Sequence, residues 1–183
     1  MAFREDKNEK CWYVLRDLKR PNAKLPAYRE LSAARFEVFT PLEDRVVTRG
    51  GRRIREEIPF IRDLLFVHDT RDALDPVVEQ CPTLQYRFQK GGGYKKPMTV
   101  AGAAMERFIH AVSVSKKTRY YLPEEITPDM FGRDIRIVGG PLDGHEGRLL
   151  TARGSKRRWL LVELPNFLTA AVEVSPEFIR VAE

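Results

Sequence analysis

Three histidines, two cysteines and one glycine–lysine run are the residues of this 183-residue chain that could carry covalent or metal chemistry. His68, His110 and His145 are widely spaced, and none sits in a His-x-x-His or Cys-x-x-Cys pattern, so metal catalysis is not expected. Cys11 and Cys81 make neither a disulfide framework nor a metal spacing and read as two reduced thiols. Cys81 stands before Pro82 with no general base at a recognisable spacing, which argues against a thiol nucleophile. The run Gly91-Gly92-Gly93-Tyr94-Lys95-Lys96 places lysines after glycines but lacks the spacing and the Ser/Thr of a phosphate-binding loop, so a flexible loop is expected. The reading is a protein without catalytic residues, metal or cofactor.

Charge is the stronger signal. The formal net charge is +6 and the pI about 9.4. With 43% hydrophobic and 32% charged residues the chain has the composition of a folded protein and not of a disordered tail. No uncharged apolar run reaches the roughly 18 residues of a membrane span, and residues 1–10 are charged, so neither a membrane protein nor a secretory leader is expected. The cytoplasm is the expected location. Five of the six net positive charges lie in residues 1–115 and one in residues 131–183. The cations form two clusters: Arg16, Lys19, Arg20, Lys24 and Arg29, then Arg45, Arg49, Arg52, Arg53 and Arg55. Clustered cationic side chains suit a phosphate backbone, although for any one of them a solvated surface is an equal reading.

These side chains must be carried by short elements. Cys11 to Leu15 is a short aromatic and β-branched run, a buried strand. Residues 24–35 have helical spacing, with Asp72 a possible N-cap for a second helix over 72–80. Residues 37–42 and 45–48 read as strand, and Arg49-Gly50-Gly51-Arg52 as a hairpin turn. Residues 60–67 form the most apolar strand of this half, 84–88 another, and 99–114 an apolar-faced helix. Alternation along 60–67 would put Phe60, Arg62, Leu64 and Phe66 on one face and Ile61, Leu65 and Val67 on the other. The order predicts an α+β domain over residues 1–115, an antiparallel sheet flanked by helices. A linker over 116–130 follows, marked by Pro123 and Pro128. Residues 131–183 predict five short strands and a small SH3-like β-barrel, with Ile135 and Ile137 inward and Arg136 outward.

Residues 132–150 resemble the KOW motif: a polar–apolar strand, the Gly139-Gly140-Pro141 turn, Gly144, and a Glu146-Gly147-Arg148 return. In the first half, Trp12-Tyr13-Val14-Leu15 resembles the opening strand of the NusG N-terminal (NGN) domain. Residues 37–41 and 46–51 resemble its second strand and hairpin. Residues 60–67 resemble its Phe-Phe-Pro-Gly-Tyr-Val-Leu-Val strand, and residues 96–99 its last helix start. Arg62-Asp63 stands where that family has Pro-Gly, a departure that brings the chain closer to the specialised UpxY-type paralogues of capsular polysaccharide operons.

The resemblance implies a transcription elongation and antitermination factor. Its NGN domain would bind the clamp helices of RNA polymerase, bridge the cleft over DNA and reduce pausing or termination. Positions matching the polymerase contact are Trp12, Tyr13, Phe39, Phe60, Ile61 and Phe66, several of which serve equally well as core; the partner reading is favoured for Phe60 and Phe66, the core reading for Trp12. Contact with non-template DNA would fall to Lys19, Arg20, Lys24, Tyr28, Arg29, Arg49, Arg52 and Arg53, with Tyr28 able to stack on a base. The KOW domain would bind a ribosomal protein or Rho, with loop residues near Leu142 and Phe167 as contacts. The alternatives are an RNA-binding, ribosome-associated KOW protein, which would put strong RNA binding in residues 131–183, and a basic enzyme with a deep polar pocket.

Overall fold

The computed structural model describes residues 8–19, 23–89, 91, 96–150 and 156–182, and the chain divides into two compact units, Met1–Gly102 and Ala103–Glu183. The first unit contains β1 (Cys11–Asp17), α1 (Ala27–Ala33), β2 (Glu37–Phe39), β3 (Leu42–Arg49), β4 (Arg52–Pro59), β5 (Leu64–Asp69), α2 (Arg71–Gln80), β6 (Leu84–Tyr86) and β7 (Thr99–Val100). Its main sheet is antiparallel, in the order β2-β5-β1-β6, with β7 also paired to β1. β1 takes the centre because its apolar run is buried on both faces. Tyr13 and Leu15 join Leu65, Val67, Leu84 and Tyr86 under Ala27 and Leu31 of α1 and Leu74 of α2. Side chains alternate along a strand, so Trp12, Val14, Leu64 and Phe66 occupy the opposite face, and all four are buried as well. A strand covered on both faces reads as a continuous apolar run rather than an alternating one.

β3 and β4 pair only with each other, in register from Leu42↔Pro59 to Arg49↔Arg52, and make a separate two-stranded ribbon. Its tip is the turn read from sequence: Gly50 and Gly51 have φ of 55° and 78°, the left-handed pair that a two-residue hairpin requires.

Three expected boundaries shift. The helix expected over 24–35 spans Ala27–Ala33, because Pro26 is its N-cap and Arg35 leaves it at a φ of 68°. The N-cap of α2 is Thr70, whose hydroxyl accepts from the Ala73 N–H at 3.2 Å, and not Asp72, which lies in the first turn where a carboxylate complements the helix dipole. The strand expected from Phe60 starts only at Leu64, since the Leu64 N–H donates to the Ile61 carbonyl at 3.2 Å and closes a turn. The continuous two-face alternation over 60–67 is therefore corrected: it holds for Leu64 to Val67 and is broken before them.

The second unit contains α3 (Gly102–Val114, which starts at the boundary), β8 (Thr118–Tyr121), β9 (Phe131–Ile137), β10 (Glu146–Leu150), β11 (Arg158–Leu164), β12 (Leu168–Val174) and β13 (Ile179–Val181). Thr99 and Val100, read as the start of the last helix, pair instead with Tyr13 and Trp12. The sheet is antiparallel, in the order β13-β9-β10-β11-β12-β8. Among the described residues its end strands β13 and β8 do not pair, so the ladder is open. β8 falls within the segment read as linker and adds a sixth strand through Thr118↔Val172 to Tyr121↔Thr169. Ile135 and Ile137 are buried while Arg136 is exposed, the alternation expected for β9.

The glycines here have individual reasons. Gly139 and Gly140 have φ of 90° and 72°, and a Cβ on Gly140 would stand 2.7 Å from the Phe178 ring. A Cβ on Gly147 would stand 2.5 Å from the Leu161 carbonyl oxygen, so β10 can approach β11 this closely only with glycine there. Residues 151–155, which hold most of the hairpin expected over 153–156, lie outside the described residues.

Candidate functional site

The turn at residues 60–63 organises the first unit's exposed features. Asp63 holds it from three sides: Arg16 Nε donates to its Oδ2 at 2.9 Å, an Arg87 guanidinium nitrogen to its Oδ1 at 3.2 Å, and the Asp17 N–H to its backbone carbonyl at 3.1 Å. A carboxylate shared by two guanidiniums fixes a turn that proline and glycine would otherwise set through φ alone. The sequence raised no signal for this clamp, because its members lie 47 and 24 residues apart. The Phe60 N–H donates to the Pro41 carbonyl at 2.8 Å, and the Thr40 hydroxyl to the Leu64 carbonyl at 2.8 Å. These bonds close the root of the β3–β4 ribbon against β5.

The residues matched to the polymerase contact separate by burial. Trp12, Tyr13 and Phe66 are 3%, 5% and 0% exposed. Trp12 stacks on His68, with ring centroids 4.9 Å apart and planes within 15°, and His68 Nδ1 lies 2.7 Å from the Glu37 carboxylate. The strand registers align Trp12, His68 and Glu37 in one row across β1, β5 and β2. Tyr13 packs edge-on to Tyr86, and Phe66 lies 6.3 Å from Phe39 between ring centroids. Phe39, Phe60 and Ile61 are half-buried. Backbone pairing gathers these three around the ribbon root, where an apolar surface remains accessible.

The ribbon is electrically graded. Its outer half, residues 46–55, holds Arg49, Arg52, Arg53 and Arg55 and no acid; its inner part holds Glu43, Asp44, Glu56 and Glu57 against Arg45. Arg49 and Arg52 face each other across the strands. Arg49 reaches back to Glu56 through two nitrogens at 2.9 Å. Arg52 and Arg53 are exposed and have no ion-pair partner among the described residues. Val46 at the same end is 65% exposed.

The other basic cluster is less free. Lys19 donates to Glu30 and to the Leu25 carbonyl, and the hydrogen bond to Glu30 raises its pKa above the ordinary lysine value. Lys24 is exposed; Arg20 lies outside the described residues. Tyr28 packs against the core beneath α1, with the Arg29 guanidinium 5.7 Å above its ring centre. In the second unit, Gly139, Gly140, Pro141 and Gly144 lie in the β9–β10 connection and Gly147 within β10, while Leu142 and Phe167 are 6% and 9% exposed.

Sequence reading kept His110 and His145 apart, 35 residues from each other, but the fold puts His110 Nδ1 2.9 Å from His145 Nε2. Among the described residues no group of three or more His, Cys, Asp or Glu side chains could hold a metal ion, and no helix is long and apolar enough to cross a membrane.

A family model described as transcription termination factor NusG matches residues 10–109. No curated protein matches the chain. A solved structure concerned with domain interaction in Thermotoga maritima NusG is similar at 14% identity and a TM-score of 0.46, covering 97% of this chain and 99% of that one. The matched span takes in the central sheet, the Asp63 turn and the graded ribbon, and it is more than half of the chain: the protein belongs to the NusG family of transcription factors, whose members act as non-catalytic adaptors.

Proposed function

We propose that this protein is an elongation and antitermination factor that binds RNA polymerase through its first unit, bridges the clamp over DNA and reduces pausing or termination. The observation that carries the proposal is the pairing of a graded ribbon with an apolar root. Phe39, Phe60 and Ile61 supply half-buried apolar surface, and the acid-free outer half of the ribbon projects Arg52 and Arg53 from the same hairpin. An apolar patch at the root of a hairpin, with cations that have no ion-pair partner among the described residues at its tip, suits a protein partner that is itself wrapped around nucleic acid. NusG-family proteins generally interact with RNA polymerase, Rho and the ribosome. Non-template DNA is the proposed nucleic-acid contact, shared by the ribbon and by the exposed Lys24 and Arg29 beside Tyr28. Residues 131–183 are proposed as a KOW module docking a ribosomal protein or Rho. Arg62-Asp63 in place of Pro-Gly supports specialisation of the UpxY type for particular operons.

Core RNA polymerase retained on the immobilised full-length protein tests this reading. Wild-type protein should retain it, and Phe60→Ala with Ile61→Ala should weaken retention at least tenfold while leaving the thermal transition near wild type. Failure of the wild-type protein to retain polymerase overturns the proposal. Strong RNA binding by the protein without polymerase binding would favour the ribosome-associated reading instead.

A further inference from the structure

The contact between His110 of α3 and His145 of the β9–β10 connection has a geometry that admits one proton and rejects two. The ring planes lie within 10° of each other, and the centroids are 5.1 Å apart while the facing nitrogens are 2.9 Å apart. The centroid distance exceeds the nitrogen distance by about the sum of two centroid-to-nitrogen radii. The rings therefore lie end to end in nearly one plane and are not stacked face to face. That is the arrangement of an N–H···N hydrogen bond, in which one imidazole donates and the other accepts.

Three protonation levels follow. With both rings neutral, the single N–H between them makes the bond. With one ring charged, the bond is charge-assisted and stronger. With both charged, each facing nitrogen carries a hydrogen, no acceptor remains, and two cations oppose each other. The surroundings increase that cost. His145 is 7% exposed, and its Nδ1 is buried without a hydrogen-bond partner. The Arg107 guanidinium, one turn before His110 on α3, donates to the Glu146 backbone carbonyl and adds a fixed positive charge. Two of the three carboxylates at the cleft are engaged elsewhere, Glu146 facing Arg136 at 3.6 Å and Asp143 Oδ1 accepting from the Gly139 N–H, which leaves Glu106 of α3 as the acid facing this charge. Burial first, then His110 and Arg107, lowers the His145 pKa below its ordinary value. An open cleft of about 390 Å³, lined by Glu106, Arg107, His110, Asp143, His145 and Glu146, gives protons access.

We propose that His110 and His145 form a proton-operated latch that fastens helix α3 to the β9–β10 connection and releases it when both rings are charged. The sign follows from the second proton: the fastened pair holds one proton well and rejects the next, so the released state binds more protons and the His145 pKa is lowered. Fastening is therefore complete above the ordinary histidine value near pH 6.5, survives the first protonation, and is lost as pH falls further through the lowered His145 value.

The test is NMR of uniformly ¹⁵N-labelled full-length protein. At pH 7.5 a scalar coupling across the hydrogen bond should join one ring nitrogen of His110 to one of His145, and on acidification it should be lost where the ring ¹⁵N shifts show both imidazoles charged. The amide resonances of residues 143–146 should shift over the same pH interval. His110→Gln replaces one ring with an uncharged group that can still donate to or accept from His145 in either charge state, so the connection should stay fastened and the acid shift of residues 143–146 should fall to the part that His145 charging alone produces. Absence of the coupling at pH 7.5, its persistence when the ring ¹⁵N shifts show both imidazoles charged, or an unchanged acid shift in His110→Gln overturns the latch.

Discussion

Replacing Arg52 and Arg53 with alanine removes two cations from the ribbon's outer half that have no ion-pair partner among the described residues, while the strand register and the glycine turn remain. If both side chains rest on phosphates, each releases about 0.7 counterion on single-stranded DNA and about 0.9 on duplex. The double variant should therefore show a log Kd against log salt slope shallower by about 1.4 to 1.8. Between 50 and 200 mM salt the wild-type complex should then lose about 7- to 12-fold more affinity than the variant complex. Arg49 provides an internal control. Glu56 already neutralises it through two contacts at 2.9 Å, so Glu56→Gln should free a third cation and steepen the slope by about 0.7 to 0.9. The assay is fluorescence anisotropy of a reconstituted elongation complex carrying labelled non-template DNA, titrated at several salt concentrations. Equal slopes for wild type and the double variant refute phosphate contact by these arginines, whatever happens to affinity at one salt concentration.

Two further outcomes concern stability. Gly147→Ala places a methyl 2.5 Å from the Leu161 carbonyl and should destabilise the second unit by about 1–3 kcal/mol in urea unfolding; Gly102→Ala, where nothing lies within 4 Å of the new Cβ, is the control and should not. The Tyr86 phenol is held above its usual pKa by burial and by the hydrogen bond from its hydroxyl to Asp75 at 2.9 Å. Its stabilising contribution is therefore present below about pH 10 and lost as pH rises beyond, and Tyr86→Phe should flatten that alkaline loss in thermal melts recorded between pH 8 and 11.

What could be read in advance was local. The Gly50-Gly51 turn, the Ile135 and Ile137 alternation and the apolar run of β1 each depend on neighbouring residues, and each stands in the structure. The start of β5 could not be read, because Phe60 to Val67 is apolar on both sides of a turn and the bond that makes the turn leaves no mark on composition. β8 was hidden between a polar stretch and Pro123, where a four-residue edge strand has too few residues to show a period. The burial of Trp12 and Phe66 was ambiguous for a physical reason: a strand covered on both faces and a strand presenting one face to a partner have the same apolar sequence. The Asp63 clamp and the His110–His145 pair depend on long-range geometry, and one acid or one histidine carries no record of a partner dozens of residues away.

The ribbon's anchoring has a mechanical consequence. Its root is fixed by the Phe60–Pro41 hydrogen bond and the Asp63 clamp, while its eight-residue strands run about 26 Å to the glycine tip. It is a lever with a fixed fulcrum. A tilt of about 5° at the root moves the tip by about 2 Å over that length, enough to break or make a hydrogen bond at Arg52. Small changes in the packing of Phe60 can therefore be read at the far end as the presence or absence of a contact.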